Sequence, residues 1–145
     1  VVFESPFVVV VKAAQEEARQ RGDRRLGTEH LFLGLLHDPD AARAIGVDLS
    51  TARAALNALD QAALVAIGID LGDVDARLVP ARKRPPLTSN ARSALNQAVR
   101  ASRAKTRRLG AMYLLLALLD LGRPDPVADL VDQLGLNAPD IRARV

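Results

Sequence analysis

The chain has no cysteine in its 145 residues. That absence removes disulfides, thiolate nucleophiles and thiolate metal sites together, and it fits a reducing, cytoplasmic setting. Aromatic residues make up only 3% of the sequence, although 49% of it is hydrophobic. The apolar content is therefore mainly Leu, Ala and Val, and there are no alternating Val/Thr/Tyr runs of the kind that build sheets. No apolar run approaches the roughly 18 residues needed to span a bilayer, so no membrane association is expected. The opening Val1-Val2-Phe3 lacks both an initiator Met and a basic segment ahead of an apolar run. A piece of a longer chain without a signal peptide is the expectation. Acidic residues are also missing, but only locally: none occurs between Ala76 and Leu119, a stretch that carries ten Lys and Arg. The net charge of +3 thus divides into +10 there and −7 elsewhere. Such polarity suits an anionic partner on one side of the molecule, or simply a solvated linker and a basic helix face.

What the chain does contain is an internal repeat. Leu26-Gly27-Thr28-Glu29-His30-Leu31-Phe32-Leu33-Gly34-Leu35-Leu36 returns 83 residues later as Leu109-Gly110-Ala111-Met112-Tyr113-Leu114-Leu115-Leu116-Ala117-Leu118-Leu119. Ile45-Gly46-Val47-Asp48 returns as Leu134-Gly135-Leu136-Asn137, now 89 residues on, the difference being an insertion around Gly122 to Pro126. A polar, Arg-containing segment precedes both copies of the longer motif. The predicted organisation is all-α: two pseudo-symmetric units of about four helices each. Repeat one covers 3–78, a basic, proline-containing linker 79–87, and repeat two 88–145.

Local signals agree with helices. Ser5-Pro6 is a cap followed by the proline favoured at a first helical position, and Val8, Val11, Ala14 and Ala18 then mark an apolar stripe. Thr88 opens the matching helix, with Ala91, Leu95, Ala98 and Val99 inside. Thr28 is placed to cap the second helix, whose body from Leu31 to Leu36 is apolar all round, as is Tyr113 to Leu119. Short helices without a polar face belong in the middle of a bundle. Gly46 and Gly135 read as C-terminal caps, and Asp48 and Asn137 as N-caps of the helices that follow. Gly68-Ile69-Asp70 repeats that signal and predicts a short helix to Leu78. The prolines from Pro80 to Pro86 exclude a helix there.

Gln15-Glu16-Glu17-Ala18-Arg19, the Leu26 to Leu36 run and Gly46-Val47-Asp48 closely resemble the Clp N-terminal repeat, found in tandem at the front of ClpA- and ClpC-type AAA+ unfoldases. The resemblance covers nearly the whole chain, strongly in the first repeat and loosely in the second. The Gly68-Ile69-Asp70-Leu71 extension looks more like ATPase-free Clp-N-domain proteins of actinobacteria. The resemblance implies a non-catalytic docking domain whose partners are Clp unfoldase or protease components, adaptors, tagged substrates and, in some bacteria, antibiotic cyclic peptides. An ATPase-free relative could instead be a decoy that sequesters such peptides. No cofactor is expected, and the sequence has no Gly-x-x-x-x-Gly-Lys-Ser/Thr loop to hold nucleotide phosphates.

Two sites follow from the resemblance. The Glu of the Gly-Thr-Glu-His motif binds phosphoarginine in ClpC-type domains, which points to Thr28 and Glu29; the second repeat offers Ala111-Met112-Tyr113, without a carboxylate. The alternative for Glu29 is an acid favoured by the helix dipole. Phe3, Leu87 and Arg92 match positions bordering the family's peptide groove, and the alternative for Phe3 and Leu87 is a hydrophobic staple. Other readings of the residues carry less. Arg100, Arg103, Arg107 and Arg108 of the basic second repeat suit phosphate contacts and so anion or nucleic-acid binding, but no stacking aromatics or reading module accompany them, and a nucleic-acid partner is not the expectation. His30 is expected to make a local hydrogen bond and His37 to meet free carbonyls at a helix end. Asp38 and Asp40 suit a turn around Pro39. Neither histidine has the ligand spacing of a zinc site.

Overall fold

The computed structural model describes residues 6–68, 85–103 and 110–145. Among them are eight helices: α1 (Pro6–Arg21), α2 (Thr28–Leu35), α3 (Pro39–Ile45), α4 (Leu49–Ala66), α5 (Ser89–Arg103), α6 (Gly110–Leu119), α7 (Pro126–Gln133) and α8 (Ala138–Arg144). The first four form one repeat and the last four the other. Phe3, the helix expected before Leu78, most of the linker, and Lys105 to Leu109 lie outside the described residues.

As the all-apolar pattern requires, α2 and α6 are the central helices. Leu31, Phe32, Leu33 and Leu35 of α2 and Leu114, Leu115 and Leu118 of α6 are fully buried. Each such side chain contributes roughly 1.5–3 kcal/mol of transfer free energy. Around them the helices are delimited by the expected caps. The Asp48 carboxylate accepts from the Thr51 amide at 2.7 Å, and the Asn137 side chain accepts from the Asp140 amide at 3.2 Å. Gly46 and Gly135 adopt φ of 87° and 69°, the left-handed region where a side chain is costly.

Four local expectations are corrected. Val8 is 42% exposed, and Val10 takes the inward position with Ala14 and Ala18. Four consecutive valines leave the helix phase open; it is fixed by Gly34 of α2, which approaches the backbone of Val10 and Ala14. Thr28 is the first residue of α2, and Gly27 is the N-cap. Asp38 does more than favour a turn: its carboxylate caps α3 by accepting from Ala41 at 3.0 Å. His37 meets a carboxylate, lying 3.5 Å from Glu17. That buried Glu17 is also gripped by Arg53 of α4, whose Nε lies 3.1 and 3.0 Å from its two oxygens.

The repeats are joined directly. The Leu26 amide donates to the Pro86 carbonyl at 2.8 Å and the Thr88 amide to the Leu26 carbonyl at 3.0 Å. At the other end of the molecule, the Arg144 Nε of α8 donates to the Ala44 carbonyl at the end of α3, at 2.7 Å. A cation is favourable there because the helix ends in unpaired carbonyls.

Candidate docking site

The Leu26–Leu87 pairing sets Leu87 at the foot of α5. From it, Arg92, Asn96 and Arg100 rise along an exposed face, with Ser89 and Ser93 beside them, and together they border an open groove of about 600 Å³. Leu87 is half-buried against the core and Arg92 is exposed. Leu87 and Arg92 are thus brought to one groove; Phe3 lies outside the described residues. The groove carries two guanidinium groups and one apolar anchor.

Thr28 and Glu29 sit at the N-terminus of α2, beside a smaller cleft of about 320 Å³ that also includes Thr88, Ser89, Asn90 and Asp125. Asp125 is only 4% exposed. One of its oxygens accepts from the Thr28 hydroxyl at 2.6 Å and the Val127 amide at 3.0 Å, and the other from the Asn90 side chain at 2.7 Å. The Thr28 hydroxyl is therefore committed to a carboxylate within the protein. Asp125 escaped the sequence reading because its role depends on three segments meeting. The signal was present, since Asp125-Pro126 repeats the Asp38-Pro39 cap of the first repeat.

The carboxylate of Glu29 folds back over Gly27, where a Cβ would stand 2.2 Å from Glu29 Oε1. A side chain at position 27 would expel it. Beneath lies His30, buried, with Nε2 2.6 Å from Asp23. Its Nδ1 is 2.9 Å from the Gly27 amide and 3.1 Å from Glu29. Burial disfavours the imidazolium, but the Asp23 and Glu29 carboxylates outweigh it and push its pKa up to about 9. The neutral ring accepts from Gly27; the charged ring donates to Glu29 instead. Asp23 is opposed by burial, yet His30 and Arg21 hold its carboxyl below the usual range. Among the described residues, no group of three His, Asp or Glu side chains is arranged to hold a metal ion.

The fold defines a paired helical-repeat module with open clefts beside α5 and at the N-terminus of α2. The profile of the Clp repeat (R) N-terminal domain matches residues 3–75. The chain belongs to this family. It is 30% identical over 149 residues to an ATP-dependent Clp protease ATP-binding subunit ClpA homolog of Cyanidium caldarium, covering 99% of this chain. It spans 14% to 16% of the length of the curated relatives it matches. The N-terminal domain of ClpD from Arabidopsis thaliana superposes with a TM-score of 0.69 at 20% identity, over 98% of this chain and 90% of that one. The Hsp104 N-terminal domain of Candida albicans gives 0.59 at 15% identity, over 99% and 89%. These two likenesses establish the two-repeat fold across the whole chain.

Proposed function

We propose that the chain is a non-catalytic docking module of the Clp system, receiving adaptors, tagged proteins or peptides through the groove at Leu87 and Arg92. The observation that carries this is its family membership, together with a fold likeness that spans the chain and not one repeat alone. The groove supports it, since one apolar anchor beneath two exposed guanidinium groups suits a peptide with an apolar side chain and acidic or carbonyl-rich backbone partners. Titration of the chain with a fluorescent adaptor or a Clp-targeting cyclic peptide tests the reading. Arg92→Glu should weaken binding by about tenfold, as for the loss of one charge-assisted contact. Leu87→Ser should do the same without abolishing the melting transition. Wild-type affinity in both variants would remove the groove from the proposal. A docking module should also co-purify with a Clp unfoldase, whereas a decoy should instead bind the cyclic peptide and protect the unfoldase from it.

A further inference from the structure

The arginines of the described residues fall into two groups. Arg19, Arg21, Arg43, Arg53, Arg123 and Arg142 each lie against a carboxylate of the protein, and Arg144 caps the carbonyl end of α3. Arg92 and Arg100, both exposed on α5, pair with no carboxylate among the described residues. We propose that the α5 groove receives an extended segment of a partner protein, with two carboxylates about four residues apart and an apolar side chain at its Leu87 end. This rests on the docking reading of the same groove and narrows it to one charge pattern and one backbone form.

The first argument is charge. No Asp or Glu occurs from Ser89 to Arg103, so the guanidinium groups of α5 have no acid on their own helix to offset them. Arg24 and Arg25 are also exposed and also without a carboxylate among the described residues. They lead directly into Leu26, whose backbone is bonded to Pro86 and Thr88, so they enter beside the Leu87 end of the groove. The positive charge here is thus left for a partner to neutralise.

The second argument is spacing. Eight residues of helix separate Arg92 from Arg100, a rise of about 12 Å. An extended chain covers that distance in about four residues, and residues four apart in it point to the same side. The third argument is what lies between the arginines. Ser93, Asn96 and Gln97 line that stretch, and their hydroxyl and amide groups both donate and accept hydrogen bonds. An extended backbone has N–H and C=O groups to meet them, whereas a helix has used its own. A docked helix would also need an apolar stripe, and Leu87 is the one apolar residue bordering this groove. A nucleic-acid strand would find no aromatic face on which to stack its bases.

The test is fluorescence anisotropy with a labelled peptide carrying one leucine and two glutamates four residues apart. It is compared with its glutamine counterpart, with a peptide whose glutamates are adjacent, and with a labelled single-stranded oligonucleotide. The spaced glutamate peptide should bind most tightly and weaken as salt rises. Exchange of both glutamates for glutamine should cost about tenfold or more. Arg100→Gln should cost about fivefold. Arg142→Gln, on α8 and already paired with Asp120, lowers the net charge equally and should leave the affinity unchanged. With Arg100→Glu, a peptide bearing lysine at the glutamate farther from the leucine should regain affinity, which a merely structural role for Arg100 would not give. Arg92 and Arg100 are exposed, so these variants test a folded protein. Equal binding of the glutamate and glutamine peptides, indifference to the glutamate spacing, or tighter binding of the oligonucleotide would each overturn the proposal. A cyclic peptide that binds through Leu87 and Arg92 while the glutamate peptide does not would overturn it too, and would leave the docking reading standing.

Discussion

Gly34 sits in the middle of a helix, where glycine costs about 1 kcal/mol relative to alanine, and its counterpart in the second repeat, Ala117, is the better helix former. The structure explains the difference by the closeness of α1 to α2. A Cβ built at position 34 would stand 2.5 Å from the Val10 carbonyl oxygen, 3.2 Å from the Ala14 amide nitrogen and 3.3 Å from Ala14 Cβ. Comfortable carbon contacts begin near about 3.5 Å. The Val10 carbonyl belongs to the helix backbone and cannot swing aside as a side chain would. Gly34→Ala must therefore push α1 off α2, loosening Val10, Ala14 and Ala18, all of them fully buried. Overpacking of this severity costs up to about 3 kcal/mol, and the gain in helix propensity returns about 1. The expected net loss is about 2 kcal/mol, or a melting temperature lower by about 4–8 °C for a chain of this size. Circular dichroism melts and urea titrations of Gly34→Ala beside Ala117→Gly measure it. Ala117→Gly should cost only about 1 kcal/mol, from propensity. A Gly34→Ala variant as stable as the wild type would refute the close approach of the two helices.

Other perturbations test the junction and the charge network. Asp125→Ala removes the acceptor of three hydrogen bonds that join α2, α5 and α7; a loss of about 2–4 kcal/mol is expected in urea titrations, and an unchanged midpoint would deny Asp125 its role. Arg53→Met removes the guanidinium that pairs with the buried Glu17 carboxylate, and should cost about 1–2 kcal/mol, less than a fully buried pair because Arg53 is partly solvated. His30 has a folded-state pKa raised from 6.5 to about 9, so its protonation stabilises the fold fully below about pH 6.5, and that contribution disappears as pH rises through 9. The melting temperature should fall across this window by the equivalent of up to about 3 kcal/mol, and His30→Gln should flatten the profile; a flat wild-type profile would contradict the pairing with Asp23 and Glu29.

Much of the architecture was legible because it is written in short-range chemistry. The apolar runs at Leu31 to Leu36 and Leu114 to Leu119 could only be central helices, and Gly46, Asp48, Gly135 and Asn137 mark helix ends by local backbone requirements. The phase of α1 was not legible, since Val8 to Val11 offers equivalent side chains on every face. The acidic groove beyond Glu29 was hidden for a different reason. Asp23, Glu29, Asp60 and Asp129 are spread over 106 positions, and no spacing rule connects a loop, two helix flanks and a second repeat. Likewise Asp125 looked like part of an insertion, yet it meets Thr28, 97 positions away.

Duplication gives the two repeats one backbone plan, but the N-termini of their central helices do different chemistry. In the first, Gly27 leaves room for Glu29 to fold back, and His30 lies beneath it. In the second, the positions aligned with Thr28, Glu29 and His30 are Ala111, Met112 and Tyr113, none of which has a carboxylate. Met112 and Tyr113 instead border an apolar cleft of about 700 Å³ between α3, α6 and α8, beside Ala44 and Leu116. A ligand that needs the Glu29 carboxylate therefore cannot be bound twice by the same geometry. Positive charge is distributed just as unevenly, with Arg92 and Arg100 bordering the α5 groove and four carboxylates bordering the groove beyond Glu29. That asymmetry makes stoichiometry informative: a phosphoarginine peptide recognised through Glu29 should titrate to one site per chain, and two equivalent sites would mean that its affinity does not depend on Glu29.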